Sequence, residues 1–169
     1  GQTTCMMAPS GAGKTTLLRI LAGLEKVDSG QIEGLEGLRI SMVFQEDRLC
    51  ENLSASANIR LVRGKKPWGR DKKLEAKISK AMAAVGLGGC EDQPVREFSG
   101  GMRQRTALLR ALYSEWDVLF LDEPFKGLDE ETKELVIEYT KKQCFGKTVI
   151  FVTHDRSEAG KMGGRLFKM

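Results

Sequence analysis

Apolar and polar residues follow two patterns that alternate along this chain. Short apolar runs occupy 3–7, 40–44, 118–121 and 148–152, and each has the length of a buried strand. Longer segments between them carry apolar residues at helical spacing. The alternation predicts an α/β fold in which helices flank a mainly parallel sheet. Helices are predicted at 14–24, 53–61, after Asp71, at 102–113, 129–143 and 157–162.

The middle of the chain departs from this alternation because its predicted helices follow one another without a strand. Asp71 is a suitable N-cap for one of them, and the apolar stripe behind it comprises Leu74, Ile78, Met82 and Val85. We therefore expect a single domain over 1–169 with an inserted helical subdomain. The sheet core is expected at 1–50 and 114–169, and the helical subdomain at about 51–113.

Two further elements are predicted from local composition. The glycine-rich segment 31–37 is typical of a short hairpin. The helix at 129–143 has an acidic start and a basic end, which both complement the helix dipole. Its packed side is expected to comprise Leu128, Leu135, Val136 and Tyr139.

Composition narrows the class of protein without identifying it. The 169 residues carry 27 basic and 23 acidic side chains, and the resulting net charge of +4 is too diffuse to favour nucleic acid. The densest basic cluster, at 63–73, is interpreted as a solvated loop. Four cysteines without a C-x-x-C pair and a single histidine argue against a zinc site. The longest aliphatic runs are too short to cross a bilayer.

The stretch from Ala8 to Thr16 has the pattern of a phosphate-binding loop between a strand and a helix. Glycines let successive backbone N–H groups point at phosphate oxygens, and the helix adds its own free N–H groups. A lysine can reach the terminal phosphates, and a threonine can bind Mg²⁺. An ordinary glycine-containing turn is the alternative at this point. The candidate residues are Ser10, Gly11, Ala12, Gly13, Lys14, Thr15 and Thr16.

Two carboxylates, Asp122 and Glu123, end the apolar run at 118–121. Because α/β sheets bind ligands at the carboxyl ends of parallel strands, both should lie near the phosphate loop. Asp122 is suited to hold Mg²⁺, and Glu123 could accept a proton from a water that attacks the γ-phosphate. The alternative is a strand that runs into an acidic surface turn.

A third motif, Ser99-Gly100-Gly101, combines a hydroxyl N-cap with two glycines at a helix start. Alone it could be an ordinary cap. With the following Met-Arg-Gln-Arg it resembles the signature motif of the ATP-binding cassette (ABC) family, and further family motifs occur in the family's order. They are the glutamine loop at Gln45, the Walker B pair Asp122-Glu123, the D-loop Gly127-Leu128-Asp129 and the histidine switch Thr153-His154-Asp155.

The resemblance implies a head-to-tail dimer, either of this chain or with a paired cassette, that holds two ATP molecules. The phosphate loop of one subunit would bind each ATP, and the other subunit's Ser99, Gly100 and Gly101 would close over it, with Asp129 nearby. Glu123 would be the general base, and His154 would contact the γ-phosphate. The Mg²⁺ ligands would be Thr15, Gln45 and Asp122, with Gln45 also sensing the attacking water.

Within the family, the chain looks like an importer ATPase of the nitrate, sulfonate and taurine group. This resemblance rests on the segment 44–49, the Met-Arg-Gln-Arg form of the signature and Glu123-Pro124-Phe125. It implies a cytoplasmic protein, peripheral on the inner face of the cell membrane, with a transmembrane permease as partner. No nucleic acid is expected.

Three departures from the family pattern keep alternatives open. Ala8 replaces the first loop glycine, and Lys126 replaces a small residue before the D-loop glycine. The family's adenine-stacking aromatic and its two earlier strands have no counterpart ahead of the strand at 3–7. A degenerate cassette with weak hydrolysis is one alternative. A soluble, non-transport cassette ATPase that acts on DNA or the ribosome is another.

Overall fold

The computed structural model describes residues 1–9, 11–63 and 71–168, and one parallel sheet organises them. Its strands in the described ranges are β1 (Thr3–Met7), β2 (Ile40–Val43), β3 (Val118–Asp122), β4 (Thr148–Val152) and β5 (Arg165–Lys168). They lie in the order β2-β3-β4-β1-β5, and each neighbouring pair is parallel. The predicted fold class, a mainly parallel sheet flanked by helices, is confirmed.

Six α-helices in the described ranges connect or flank these strands. They are α1 (Lys14–Leu21), α2 (Ala55–Arg60), α3 (Lys72–Ala84), α4 (Gly100–Tyr113), α5 (Glu130–Gln143) and α6 (Arg156–Met162). All but α1 begin at a side chain that accepts a hydrogen bond from a free backbone N–H, which is the ordinary function of an N-cap. The capping residues are Ser54, Asp71, Ser99, Asp129 and Asp155. None of the helices in the described ranges has the length and apolar character needed to cross a membrane.

The strand register determines which chain segments emerge together. Val43 pairs with Leu121, Leu121 with Phe151, and Phe151 with Cys5. These four residues form one line across the sheet near the carboxyl ends of the strands. The segments that follow them therefore leave the same edge side by side, which is where open α/β sheets bind ligands.

The core lies on both faces of the sheet. All five residues of β3 are buried, as the apolar run at 118–121 predicts for a central strand. Leu119 and Leu121 pack in the larger apolar cluster, while Phe120 joins Leu18 in a smaller cluster on the opposite face. β3, which carries two candidate site residues to its end, is thus the most constrained strand.

The middle of the chain is helical, as predicted. Within the described residues between β2 and β3 lie α2, α3, α4, two short 3₁₀ turns and one isolated bridge, between Ser54 and Pro94. The stripe on α3 packs as expected, because Ile78, Met82 and Val85 are fully buried. α4 also touches the sheet, since the Ser41 hydroxyl donates to the carbonyl of Ala111 at 3.0 Å. The division into a core and a subdomain stays a prediction.

The predicted hairpin at 31–37 is wrong, because the structure has no strand between α1 and β2. Gly30, Gly34 and Gly37 all have positive φ, at 92°, 82° and 72°. Each turns the chain before a run of extended residues can pair. Most of the basic segment at 63–73 lies outside the described residues.

The packed side of α5 also differs from its prediction. Leu135 is 49% exposed, whereas Ile137 is 3% exposed and packs in the core beside Val136. The helix is rotated so that Val136, Ile137 and Thr140 face inward. Tyr139 is half-buried, as expected for that side.

Helix ends shift by one to three residues from their predicted positions. α1 ends at Leu21 because Gly23 adopts φ 71° and its N–H donates to the carbonyl of Ile20. α4 begins at Gly100 because Ser99 caps it, and Asp129 is the cap of α5 rather than its first residue.

Candidate functional site

The phosphate loop has the backbone shape that its glycines predict. Gly11 and Gly13 have φ of 83° and 81°, and Gly13 is the N-cap of α1 with no side chain on its free N–H groups. These N–H groups are therefore available to an anion. Ala8 does not have a positive φ, so its Cβ is not strained there. Ser10 lies outside the described residues.

Lys14 lies inside its own loop. Its Nζ donates to the carbonyls of Ala8 and Pro9, at 2.7 and 2.8 Å, and the residue is only 7% exposed. The backbone oxygens thus compensate for part of the cost of burying the ammonium group. The rest of the loop is more open, since Ala12 and Thr16 are exposed and Thr15 is half-buried.

Asp122 has the features expected of a Mg²⁺ ligand. The residue is 2% exposed, and its Oδ2 has no hydrogen-bond partner among the described residues. Burial raises the pKa of Asp122, while a hydrogen bond from Thr15 lowers it and the charge of Glu123 raises it. A buried carboxylate oxygen without a partner is costly unless a cation or donor satisfies it. The residues therefore fit a Mg²⁺ bound by Asp122 and the neighbouring Thr15.

The metal site expected from the sequence has only one carboxylate. In the described part of the chain there is no cluster of three or more His, Cys, Asp or Glu residues suited to a metal. A site of one carboxylate, one hydroxyl, waters and phosphate oxygens is what Mg²⁺ prefers at nucleotides, because the ion keeps several waters.

Glu123 lies between two cationic or potentially cationic groups. Its Oε1 is 3.2 Å from His154 Nδ1, and its Oε2 is 3.3 Å from Lys126 Nζ. Burial alone would raise the pKa of Glu123, but the hydrogen bonds from His154 and Lys126 outweigh it, so the pKa is lowered. The backbone of Glu123 has φ 46°, which is unusual for a residue with a side chain. The sequence predicted Glu123 and His154 as site residues, and the structure brings them together.

Side-chain contacts hold the loop that carries His154 in place. Thr153 is buried, and its hydroxyl donates to Glu158 Oε2 at 2.6 Å while accepting from the N–H of Asp155. Lys133 on α5 lies 3.6 Å from the carboxylates of both Glu158 and Asp155. The imidazole itself is exposed, with 63% of its side chain open to solvent. His154 is thus an exposed side chain on a well-anchored loop.

Gln45 is exposed two residues beyond the end of β2. The register places it level with Glu123, which is two residues beyond Leu121, the partner of Val43. No hydrogen bond of Gln45 with the phosphate loop or with Asp122 occurs among the described residues. It lines an open cleft of about 670 Å³ together with Gly101 and Lys126.

The segment after Gln45 is tied to the start of α4. Asp47 accepts from Arg103 Nε at 2.8 Å and from its Nη2 at 3.0 Å. Arg110 donates to the carbonyls of Asp47 and Arg48. This paired contact of carboxylate and guanidinium joins the segment after Gln45 to α4, the helix that Ser99 caps.

The Ser99–Gly101 motif is exposed and lies apart from the phosphate loop. Ser99 Oγ accepts from the N–H of Met102 at 3.3 Å, so the hydroxyl caps α4. A Cβ added at Gly101 would lie 3.2 Å from Leu128 Cδ2, whereas one at Gly100 would meet nothing within 4 Å. Among the described residues, no hydrogen bond or salt bridge joins this motif to residues 8–16. Beyond the Ser99 cap, the start of α4 therefore offers helix N–H groups that are not bonded to its own chain's phosphate loop.

Asp129 follows Leu128 and caps α5. Its carboxylate accepts from the N–H of Thr132 at 2.9 Å, and this bond lowers the pKa of Asp129. The capping role is sufficient to explain the residue within this chain.

Three contacts at the candidate site are not predicted from the sequence. Lys126 stands out in the sequence as a departure from the family pattern, and the sequence does not identify it as a partner of Glu123. A Glu and a Lys three residues apart in a turn can nevertheless meet. The bond from Thr153 to Glu158 spans five residues and could have been proposed as a cap-like contact. The pairing of Asp47 with Arg103 spans 56 residues, and no local pattern indicates it.

Comparisons with a family model and with curated proteins agree on the relatives of this chain. A family model described as ABC transporter matches residues 1–126. The sulfate/thiosulfate import ATP-binding protein CysA of Xanthomonas campestris is 38% identical over 98% of this chain and 52% of its own length. The thiamine import ATP-binding protein ThiQ of Chelativorans sp. is 39% identical over 98% of this chain and 71% of its own. The chain thus spans about half the length of the CysA relatives.

Solved structures agree with these relatives. A dimeric structure of the ATP-binding cassette MJ0796 in a post-hydrolysis state, bound to ADP and Pi, superposes with a TM-score of 0.82. It is 27% identical in sequence and is matched over 99% of this chain and 81% of its own. A second dimeric structure of MJ0796, described as a bacterial ABC transporter cassette, gives a TM-score of 0.84 at the same identity.

Proposed function

The chain belongs to the ABC transporter family, and from this premise we propose that it binds and hydrolyses ATP to power solute import through a membrane permease. One observation carries the proposal. The phosphate loop, the buried Asp122 and the Glu123–His154 pair all lie at the carboxyl edge of one parallel sheet. These are the parts that phosphoryl transfer requires, namely a phosphate cradle, a metal ligand and a base.

The phosphate loop is proposed to hold the ATP phosphates. Residues 11–13 and the start of α1 offer backbone N–H groups, and Thr15 and Thr16 add hydroxyls. Lys14 would exchange its bonds with the Ala8 and Pro9 carbonyls for phosphate oxygens. Asp122, Thr15 and Gln45 are the residues proposed to hold Mg²⁺, which when bound neutralises charge on the phosphates.

Glu123 is proposed to be the general base. A water oxygen would form a bond to the γ-phosphorus while the bond from that phosphorus to the β–γ bridging oxygen breaks. Glu123 would accept the proton of the water, and ADP and phosphate would leave. The contact of His154 with Glu123 supports a role for His154 in orienting the carboxylate and reaching the γ-phosphate.

A second cassette is proposed to complete each site. In the Ser99–Gly101 motif, Ser99 and Gly100 are exposed, and no hydrogen bond or salt bridge to the chain's own phosphate loop occurs among the described residues. In a head-to-tail dimer the motif could close over the partner's ATP, with Asp129 at the same interface. The partner could be another copy of this chain or a paired cassette.

Import is proposed from the curated relatives, whose names describe import ATP-binding proteins for sulfate/thiosulfate, thiamine and Fe(3+) ions. The proposed location is the cytoplasmic face of the membrane, against a transmembrane permease. The finer resemblance to the nitrate, sulfonate and taurine group stays a proposal that rests on the motifs at 44–49, 99–105 and 123–125. The transported solute would be chosen by the permease and its binding protein.

The test is Mg²⁺-dependent ATP hydrolysis by the purified chain, alone and reconstituted with a candidate importer permease. Turnover that rises when the permease is present supports the importer. Tight ATP binding without turnover would favour a degenerate cassette. Co-purification with ribosomes or DNA, and no response to a permease, would favour the soluble non-transport cassette.

A further inference from the structure

The turn that carries Glu123 also carries its cationic neighbour. The N–H of Lys126 donates to the carbonyl of Glu123 at 3.2 Å, which closes a turn of four residues. The first half of the turn is held by two further bonds, because the N–H of Glu123 donates to the carbonyl of Val152 and the buried side chain of Gln104 donates to the carbonyl of Pro124. Phe125 at its centre is fully buried. The backbone of Lys126 is therefore fixed close to the Glu123 side chain.

The two side chains meet in an ion pair. Lys126 Nζ lies 3.3 Å from Glu123 Oε2, the carboxylate oxygen that His154 leaves free. Glu123 is largely enclosed, with 16% of its side chain exposed, while Lys126 is 54% exposed and can swing away. Both oxygens of the carboxylate are thus engaged by groups of the same chain.

A base that accepts a proton from water must present a carboxylate oxygen to that water. Within the described structure, Lys126 and His154 each occupy a contact on one of the two carboxylate oxygens, so a water that approaches the same side of either oxygen must displace them. The His154 side chain is mostly exposed, so it can exchange Glu123 for another partner, and in the proposed site that partner is a phosphate. Lys126 has no such second role within the described structure.

We infer that Lys126 is a positioning residue that holds the Glu123 carboxylate in a resting arrangement, and that release of this ion pair contributes to the barrier for hydrolysis. The inference rests on the proposed ATPase function. It concerns a side chain that is not a nucleotide ligand in the proposed site. A pair this exposed seldom changes an equilibrium by more than about fivefold, so the expected effect is modest.

The test compares the full chain with three variants, K126M, K126R and K142M. Lys142 is the matched control, because it is an exposed lysine that pairs with Glu138 far from the site. We expect K126M to raise kcat for ATP hydrolysis about two- to fivefold with KM unchanged. K126R keeps a cation and should return kcat toward the wild-type value, and K142M should change neither constant.

A second readout needs no turnover. His154 is the only histidine in the 169 residues, so its imidazole NMR resonances can be assigned by comparison with H154Q. In the nucleotide-free protein, K126M should shift these resonances because Glu123 changes position, while K142M should leave them in place.

The inference is overturned if K126M hydrolyses ATP at or below the wild-type rate, if its KM changes instead of kcat, or if the His154 resonances do not move. Equal increases in K126M and K126R would also overturn it. Absence of turnover in the wild-type protein is a different result, because it removes the proposed ATPase function and with it any effect of Lys126 on hydrolysis.

Discussion

Glu123 Oε1 lies 3.2 Å from His154 Nδ1, although 31 residues separate the two in sequence. The contact exists because β3 and β4 are neighbours in register, with Asp122 opposite Val152. Each strand is followed within two residues by one member of the pair. The juxtaposition is thus a product of parallel pairing.

Replacement of Glu123 by Gln should abolish hydrolysis but preserve ATP binding. The amide keeps the size of the carboxylate and can still bond to His154, but it cannot accept a proton from water. We expect kcat to fall at least about 100-fold. Phosphate release measures turnover, and equilibrium binding of ATP measures affinity.

The control is Glu138→Gln, an exposed carboxylate on α5 that pairs with Lys142. It should hydrolyse ATP at the wild-type rate. Substantial turnover in Glu123→Gln would show that another group is the base.

Replacement of Lys14 by Ala should remove detectable ATP binding. The ammonium group is the cation that the loop itself positions, held by the carbonyls of Ala8 and Pro9. Its loss removes the only side-chain cation of the proposed loop, residues 8–16, and leaves the phosphates there with N–H and hydroxyl donors. Isothermal titration measures the affinity, and circular dichroism checks that the variant is folded. An affinity equal to that of Lys142→Ala would contradict the site assignment.

The positions of the candidate site residues could be predicted largely because these residues follow strands. The apolar runs locate β1, β3 and β4, and their ends carry the phosphate loop, Asp122 with Glu123, and His154. No single apolar run in the sequence predicts that the strands are parallel. Their parallel arrangement follows from the helical connections between them, which require crossovers.

The remaining features depend on contacts that leave no local pattern. The bond from Arg103 to Asp47 joins residues 56 positions apart. The failed hairpin at 31–37 shows the opposite problem, since its composition suits a turn but nothing pairs with it. The prediction for Leu135 is wrong because the rotation of α5 decides which of the two apolar residues that flank Val136 is buried, and it buries Ile137.

Cysteine reactivity should follow burial. Burial raises the pKa of both Cys5 and Cys144 to about 11, with the charge of Glu158 adding to the effect at Cys5. At pH 8 only roughly one in a thousand of either thiol is then the reactive thiolate, and this fraction increases about tenfold for each unit by which the pH is raised toward the pKa. Cys50 is exposed. Mass spectrometry of the native protein with a thiol reagent should find Cys50 modified first.

The difference in modification rate among the cysteines should disappear when the protein is unfolded, because all four thiols then reach water. Rapid modification of Cys144 in the native protein at pH 8 would contradict the buried position of the end of α5.

The Asp47–Arg103 pair should contribute measurably to stability. Both side chains are about four-fifths buried, and the pairing joins carboxylate and guanidinium through two bonds. We expect Arg103→Met to lower the free energy of unfolding by on the order of 1–2 kcal/mol. Urea unfolding measures it, and the double variant with Asp47→Asn isolates the pairwise part.

Arg96→Met is the comparison, since Arg96 and Glu97 are exposed and 4.0 Å apart. This substitution should lower the free energy of unfolding by less than about 0.5 kcal/mol. If the Arg103 and Asp47 variants lower stability additively, the two side chains are not coupled.

Replacement of Gly100 by Ala separates the structure of the signature motif from its proposed function. A Cβ at this position meets nothing within 4 Å in the chain, and alanine suits a helix better than glycine. The variant should therefore be at least as stable as the wild type in urea.

In the proposed dimer, however, the same Cβ would point into the space where the second subunit's ATP phosphates approach the N–H groups of α4. We expect ATP hydrolysis to fall about tenfold or more while ATP binding to the isolated chain is unchanged, as measured by phosphate release and equilibrium binding. Wild-type turnover in Gly100→Ala would mean that this part of the motif does not approach a phosphate, and the proposed closure over a partner's nucleotide would then have to be abandoned.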